Sequence, residues 1–558
     1  MSIKVFIKNS LKHIVFQDQI TASEIEGFES AFKENIHYEV SFINLKSIPK
    51  SIVERLYQER YIKQQTLTLY VQHPRLSKYL TSLGLQNVDI SQAGLEQHKK
   101  IKAKPLKSIT IGGSADSLEK IVAMVESIPL ADISIFVIQH IKEDAQPLFD
   151  KILQNKTQYR VAYPKDQEEI LEGHLYISPP ARHMRVAQGK IYLDNSPKVN
   201  YARPSLSVLF ESIAHYYGSQ NITVLTCGYG HDGSDALKTL RQAGSGVIIS
   251  APDECGAQDM VNNAIATHEY HHILTTDEIR SLFNTLLQTL VDKDSFITRF
   301  LKEIKSLYGY DFIKYDRNSV TRRIEALMLK LGINSLPLLA KEVLIHKPLF
   351  DELLLSISIN VTEFFRKPSL YVAMRDLLAD EFQETHLKIW VAGSSTGEEP
   401  YSIAMILDEL GLYSHSLIYA TDFNPIVINE AKSGLYSQDA LNSSIKNANV
   451  ALNHSTFEDY VEKHISYFAI KEYLQKNVLF FTHNLVTDRS FNQFDLISCK
   501  NVLIYFTLNL QELVFDLFYE SLCEGGYLQL GESESLPPSF SKKFRAYSVE
   551  HKIYQKVS

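Results

Sequence analysis

Three polar residues end apolar runs in the first half of the chain: Ser114 after SITIGG, His140 after ISIFVIQ and Asp232 after ITVLTCGYGH. In an open α/β sheet, reactive groups collect at the carboxyl ends of the strands. A serine, a histidine and an aspartate converging there are the parts of a nucleophilic hydrolase. The hydroxyl attacks only once an imidazole removes its proton, and the carboxylate orients that imidazole and stabilises its charged form. Taken singly, each residue also fits a plain structural role: Ser114 as a turn or helix cap, His140 as a strand-end histidine, Asp232 before Gly233 as a turn.

A second constellation lies downstream. LKIWVAG (387–393) predicts a buried strand, and SSTGEEPYSIAMILDEL after it carries Ile403, Ala404, Ile406, Leu407 and Leu410 at helical spacing. Strand, glycine turn and helix form the first half of a nucleotide-binding unit, and a second strand, SLIYATD, ends in Asp422, where a carboxylate accepts both hydroxyls of a ribose.

These groups need scaffolds, and 558 residues suggest three or four globular units, each able to bury a core. Hydrophobic residues make up 45% and charged residues 22%, a balance that excludes a disordered chain. With 57 Lys and Arg against 65 Asp and Glu, the formal charge of -8 gives no overall attraction to nucleic acid. There is no long apolar run and no signal peptide in MSIKVFIKNSLKH, which predicts a soluble, cytoplasmic protein without membrane insertion. Cys227, Cys255, Cys499 and Cys523 are far apart and form no CxxC pair, so reduced thiols are expected, with neither a disulfide framework nor a metal site.

The lysine-rich HKKIKAKPLK (98–107) predicts a linker, and helical spacing takes over after LLQTLVDKDSF (286–296) until about residue 360. The predicted domains are 1–97, 105–288, 290–360 and 361–558. The first mixes strand-like runs (KVFIKN, YEVSFINL, TLTLYVQ) with helical ones, lacks the acidic pair of a phosphoacceptor receiver and is loosely similar to STAS-type signalling domains. The predicted fold class is multidomain α/β: this small unit, a doubly wound parallel sheet, a helical subdomain and a Rossmann-like domain.

Residues 105–288 resemble the catalytic domain of the chemotaxis protein-glutamate methylesterase, CheB. The match runs through the Ser114 strand, VIQH, EEILEGHLYISPPARHM around His183, ARPSLSVLFESIA and GYGHDGSDAL. It implies a catalytic triad of Ser114, His140 and Asp232, hydrolysis of glutamate γ-methyl esters with glutamine deamidation as a second activity, and oxyanion donors among the backbone N–H groups of the Ser114 turn and Tyr229. The chain departs from the family where S-x-G-G becomes Ser114, Ala115, Asp116, Ser117, where G-M-P becomes Asp259, Met260, Val261, and where Tyr229 replaces a methionine. Replacing two glycines with Asp116 and Ser117 is expected to narrow the pocket or alter the turn, and a carboxylate nearby to oppose charge developing on an oxyanion.

Residues 290–558 resemble the chemotaxis receptor methyltransferase, CheR, through ISINVTEFFR, WVAGSSTGEEPYSIAM, ATDFNP, THNL, FDLISCKNVLIYF and GYLQLGESES in family order. This implies S-adenosylmethionine as methyl donor, S-adenosylhomocysteine as product and the cytoplasmic domains of methyl-accepting chemoreceptors as partners. It also implies a cofactor site of Asn360, Thr362, Arg366, Glu399, Asp422, Asn484, Leu485, Asn501 and Val502, with Arg366 and Tyr505 acting on the acceptor carboxylate. Lys500 stands where the family has arginine, which keeps the charge but not the bidentate fork. The resemblance makes Arg317, Arg322, Arg323 and Lys330 the candidate for the basic helix that the family lays against its receptor, a spacing that equally fits an ordinary solvated face, and 451–478 falls where the family carries a small β-subdomain.

Together these expectations describe a bifunctional receptor-modification enzyme, with residues 1–97 meeting other chemotaxis signalling proteins. The alternative, carried by Asp116 and Ser117, is an active methyltransferase whose degenerate esterase domain serves as a scaffold.

Overall fold

The computed structural model describes residues 103–140, 148–288, 292–358, 362–382, 386–463 and 467–557, with five strands and two helical positions among residues 1–102. Strands β1 (Lys4–Lys8), β2 (Leu11–Gln17), β3 (His37–Ile43), β4 (Leu67–Val71) and β5 (Asn87–Asp89) form a sheet in that order. Only the β1–β2 pair is antiparallel. The chain divides into two compact units, residues 101–313 with 320–356, and residues 1–100 and 314–319 with 357–558.

In the former unit the strands are β6 (Ser108–Gly113), β7 (Ser134–Gln139), β8 (Arg160–Ala162), β9 (Glu168–Glu169), β10 (His174–Ile177), β11 (His183–Ala187), β12 (Lys190–Asp194), β13 (Asn221–Leu225), β14 (Gly246–Ser250) and β15 (His272–Leu274). Seven of them form a parallel sheet of order β15-β14-β13-β6-β7-β10-β8. Strands β6, β13 and β14 are buried at every position, as expected of unbroken apolar runs covered on both faces. The chain leaves β6 toward β7 on one side and returns as β13 on the other, so the topological switch lies between β6 and β13, where a doubly wound sheet places its site. Helices α1 (Leu118–Ser127), α2 (Leu206–Tyr217) and α3 (Thr276–Leu287) cover the sheet, α3 starting in a capping box at Thr275 and Glu278.

The predicted helical stretch forms α4 (Lys293–Tyr308), α5 (Arg317–Leu331), α6 (Leu336–Ile345) and α7 (Lys347–Ile357). Within this unit α6 is fastened to the sheet domain by the buried Lys341. Its Nζ donates to the carbonyls of Lys104 (2.9 Å) and Ser219 (2.6 Å) and pairs with Glu342 at 3.0 Å, which meets the cost of burying the charge.

The other unit contains β16 (Leu387–Ala392), β17 (Ser416–Asp422), β18 (Leu435–Ser437), β19 (Val461–Lys463), β20 (Tyr467–Ile470), β21 (Val478–Thr482), β22 (Phe494–Cys499), β23 (Leu522–Leu530), β24 (Phe544–Ser548) and β25 (Ile553–Lys556). The main sheet runs β21-β17-β16-β22-β23-β25-β24, with β25 antiparallel to both neighbours. Its switch lies between β16 and β22. Trp390 anchors the core, fully buried against Phe494 and Phe518, and its Nε1 donates to Thr421 Oγ1 at 2.8 Å. Strands β18, β20 and β19 make a separate antiparallel sheet that includes the predicted insertion. Helices α8 (Pro368–Glu381), α9 (Glu398–Glu409) and α10 (Leu508–Ser521) flank the main sheet.

Candidate functional site

The β6–β7 register, with Gly113 opposite Gln139, sets Ser114 and His140 on adjacent strand ends. Asp232 follows β13 on the other side of β6. His140 Nε2 lies 2.9 Å from Asp232 Oδ2. An ionised carboxylate can only accept, so Nε2 carries the hydrogen, and in the neutral ring Nδ1 keeps its lone pair. Asp232 is 2% exposed, and its ionised state is supported by the start of α2. Oδ1 accepts from Ser205 Oγ (2.7 Å) and Ser207 N–H (3.2 Å), and Oδ2 from Leu206 N–H (2.7 Å). Burial alone raises its pKa, but the bonds from His140, Ser205 and Leu206 together outweigh burial and hold it below the usual aspartate value. The ARPSLSVLFESIA helix thus has a definite task that sequence reasoning missed; the readable signal was a serine at the cap position of an apolar helix. Among the described residues no hydrogen bond joins Ser114 Oγ to His140, a link that commonly tightens only around a substrate. His183 is structural: its Nε2 donates to Pro197 O at 3.0 Å, and its Nδ1 accepts from Ser205 N–H.

The altered serine turn is accommodated rather than disruptive. Asp116 takes a left-handed φ of 63° and turns its carboxylate to the N–H of Gly256 at 2.6 Å, with Lys120 3.6 Å away; these two, in that order, lower its pKa. Ser117 is buried, its Oγ 2.7 Å from Ser114 O and 2.5 Å from Gln139 Oε1. Gly228 is needed for close approach, since a Cβ there would sit 2.7 Å from that of Ser114. The Ser114 N–H donates to Cys227 O at 2.8 Å, so of the expected oxyanion donors this one is already committed. The His140–Asp232 pair is intact, and a scaffold-only middle domain is not favoured. One expectation is corrected: Cys227 and Cys255 form a disulfide, with Cα atoms 5.4 Å apart. They are 28 residues apart in sequence, but β13 and β14 are neighbours and bring the segments after them together. Cys499 and Cys523 are free.

In the other unit a cavity of about 340 Å³ opens at the switch point between β16 and β22. Thr362, Arg366, Glu399, Asp422, Asn484, Leu485, Asn501, Val502 and Tyr505 all line it. Asn360 lies outside the described residues. Gly393, at φ 84°, makes the turn after β16, and a Cβ there would strike Val502 Cγ2 at 2.3 Å, so the turn and the β22 loop close on each other only because that position is glycine. Asp422 is 7% exposed and accepts from Asn424 N–H (2.9 Å) and Ser395 N–H (3.0 Å); burial outweighs these bonds and pushes its pKa up to about 6.

Sequence reasoning did not anticipate the partners of Glu399. Ser498 Oγ donates to its Oε1 at 2.6 Å, and Lys500 Nζ lies 3.3 Å from the same oxygen and 4.0 Å over the Tyr371 ring. Burial lowers the Lys500 pKa, with Glu399 opposing. On α5, Lys330 is already paired with Glu352 at 2.5 Å, while Arg322 is exposed. The cavity's chemistry fits S-adenosylmethionine: buried Ser394 Oγ and Ser395 Oγ lack hydrogen-bond partners there, and Glu363, Glu399, Asp422 and Glu532 place four carboxylates on its wall. Among the described residues no helix is long and apolar enough to cross a membrane and no cluster could hold a metal.

Family models agree with the two halves. Residues 109–283 match CheB methylesterase, 296–358 the all-alpha domain of CheR methyltransferase, and 360–553 its SAM binding domain. A Pseudomonas putida protein named "Putative methyltransferase Cher3" is 36% identical over 47% of this chain and 97% of its own length. A protein-glutamate methylesterase/protein-glutamine glutaminase of Pectobacterium atrosepticum is 33% identical over 31% of this chain. The chain spans 51% of that relative's length. A crystal structure of the Thermotoga maritima CheB methylesterase catalytic domain matches at 24% identity and TM-score 0.31, covering 33% of this chain and all of the other. An S-adenosylmethionine-binding methyltransferase half and a methylesterase half thus share one polypeptide, and the chain belongs to the CheR methyltransferase family as a CheB–CheR fusion.

Proposed function

We propose that this enzyme methylates glutamates of chemoreceptor cytoplasmic domains and removes the same methyl groups as methanol, in the cytoplasm, with glutamine deamidation as a side activity of the esterase. The observation that carries the reading is that each sheet gathers its own groups at its own switch point: His140 at 2.9 Å from Asp232 in one, and Arg366, Glu399, Asp422 and Tyr505 around one cavity in the other. In the esterase, His140 Nδ1 takes the Ser114 proton as Oγ attacks the ester carbonyl. Methanol leaves with that proton, and water then releases the glutamate from Ser114. Asp232 holds the imidazole and its positive charge throughout.

In the methyltransferase, the bound cofactor supplies an electrophilic methyl group on a sulfonium. Asp422 takes the ribose hydroxyls, Glu399 the ammonium, and Asn360, Thr362, Asn484, Leu485, Asn501 and Val502 complete the pocket. Arg366 grips the acceptor carboxylate and Tyr505 orients it. That carboxylate is already anionic at neutral pH, so the residues align rather than transfer protons. Alignment alone supplies roughly 7–11 kcal/mol of barrier lowering in well-oriented systems. Residues 1–97 bias the balance between the opposed activities by meeting a signalling partner.

The test is a receptor cytoplasmic fragment incubated with methyl-labelled S-adenosylmethionine. Base-labile label on the fragment and labelled methanol in the medium are expected from the wild type, with methanol lost in Ser114→Ala. No base-labile label, or unchanged methanol from Ser114→Ala, contradicts the reading.

A further inference from the structure

The GESES segment after β23 contains a carboxylate to which the reaction above gives no task. Glu534 is 4% exposed and accepts four backbone N–H groups, and its charge also acts on the neighbouring Lys500. Oε1 accepts the N–H groups of Val502 and Leu503, both at 2.8 Å; Oε2 accepts those of Asn501 at 2.9 Å and Gly531 at 2.8 Å. Three of the donors are consecutive, and they converge because Asn501 is left-handed (φ 61°) while Val502 is right-handed (φ -113°, ψ -49°). Alternating hand is the geometry of a backbone nest, which binds anions. Here the anion is the chain's own side chain. Gly531 is required for the fit, since a Cβ there would meet Glu534 Oε2 at 2.7 Å.

The nest is the loop that leaves β22 for the cavity. Lys500, Asn501, Val502 and Tyr505 on it line the cavity, as do Glu532 and Ser533 beside the carboxylate, whereas Glu534 itself does not. Val502 closes against the Gly393 turn, and Lys500 against Glu399. Left-handed backbone at a non-glycine residue is costly and persists only where the surroundings hold it.

We infer that Glu534 is a positioning residue of the methyltransferase, an internal anion that pins the Lys500–Tyr505 loop in its cofactor-binding shape without touching cofactor or acceptor. Glutamine has nearly the same volume, but its NH2 must face two N–H donors, so Glu534→Gln keeps at most one oxygen's worth of the grip. This rests on the methyltransferase reading and is tested on the full chain by calorimetric binding of S-adenosylhomocysteine with steady-state methylation of the receptor fragment. Glu534→Gln is expected to weaken product binding and raise the KM for methyl donor by more than about tenfold. The KM for receptor fragment and methanol release should both stay within about twofold. A merely structural role would shrink the active fraction, lowering apparent kcat and leaving the donor KM unchanged, and that result overturns the inference. Wild-type protein that binds no S-adenosylhomocysteine overturns the reading beneath it; wild type and variant binding equally overturns only the inference. Should the variant not fold, hydrogen exchange on the wild type decides: the amides of Asn501, Val502, Leu503 and Gly531 should be slow as a group, and rapid exchange there overturns it.

Discussion

Asp232 follows the central strand β13, Asp422 ends β17, and both are nearly inaccessible, at 2% and 7% exposure. Asp232 is surrounded by donors: an imidazole, a hydroxyl and two N–H groups from the start of α2. Asp422 is met by backbone N–H groups alone, those of Ser395, Asn424 and Phe423, and burial dominates. A carboxylate that must stay ionised beside an imidazolium is satisfied by the protein in advance. On the proposed reading, the ribose hydroxyls would add donors to the second, Asp422. The first carboxylate is held by side-chain and backbone donors together, the second by backbone donors under strong burial.

The largest expected break of this comparison is Asp232→Asn. It keeps the shape but lets the ring settle in the wrong tautomer, so methanol release should fall about a thousandfold or more, by the logic established for other serine hydrolases. Methylation by the same preparation should be unchanged, and equal losses of both would erase the distinction between the sites.

Reduction of the Cys227–Cys255 bond comes next. Opening such a loop typically costs about 2–4 kcal/mol. A reductant should therefore lower the melting transition of the esterase-bearing unit and leave S-adenosylhomocysteine affinity alone; calorimetric scans with and without reductant check both.

Asp422→Ala should weaken S-adenosylhomocysteine about 10–100-fold, the value of hydrogen bonds to a charged acceptor, without altering methanol release. Isothermal titration reads the first and a methanol assay the second.

The smallest effect is in pH, with opposite signs at the two sites. The Asp422 pKa is raised to about 6, so its favourable contribution to stability is present below the unfolded aspartate value and lost as pH rises through about 6. Asp422→Asn should gain on the wild type over that window. The Asp232 pKa is lowered, so its contribution is present above the unfolded value and lost as pH falls through the folded one; Asp232→Asn should lose on the wild type as pH rises from the acid limit. Denaturant melts of the variants, run from well below the unfolded aspartate value up to neutral pH, measure the two slopes, and slopes of one sign would contradict the account.

What could be read in the sequence was local. SITIGG and IWVA are apolar runs whose ends carry Ser114 and the Gly393 turn, and they became β6 and β16. Asp422 ends SLIYATD as β17. What stayed hidden depends on strand order. Lys500 meets Glu399 because β22 lies beside β16, and Cys227 meets Cys255 because β14 follows β13 in the sheet. Glu534 reaches its nest across 31 to 33 residues of chain. No spacing rule links such pairs, since periodicity gives the face a residue occupies but not the neighbour it will meet.

The central claim, two separable and opposed chemistries in one chain, is tested most directly by mixing two crippled variants. Ser114→Ala alone should load the receptor fragment with base-labile label and release no methanol, and Asp422→Ala should leave the fragment nearly unlabelled. Mixed together, they should restore label turnover and methanol release. Methanol production by Ser114→Ala alone, or a mixture no more active than its parts, would contradict the account.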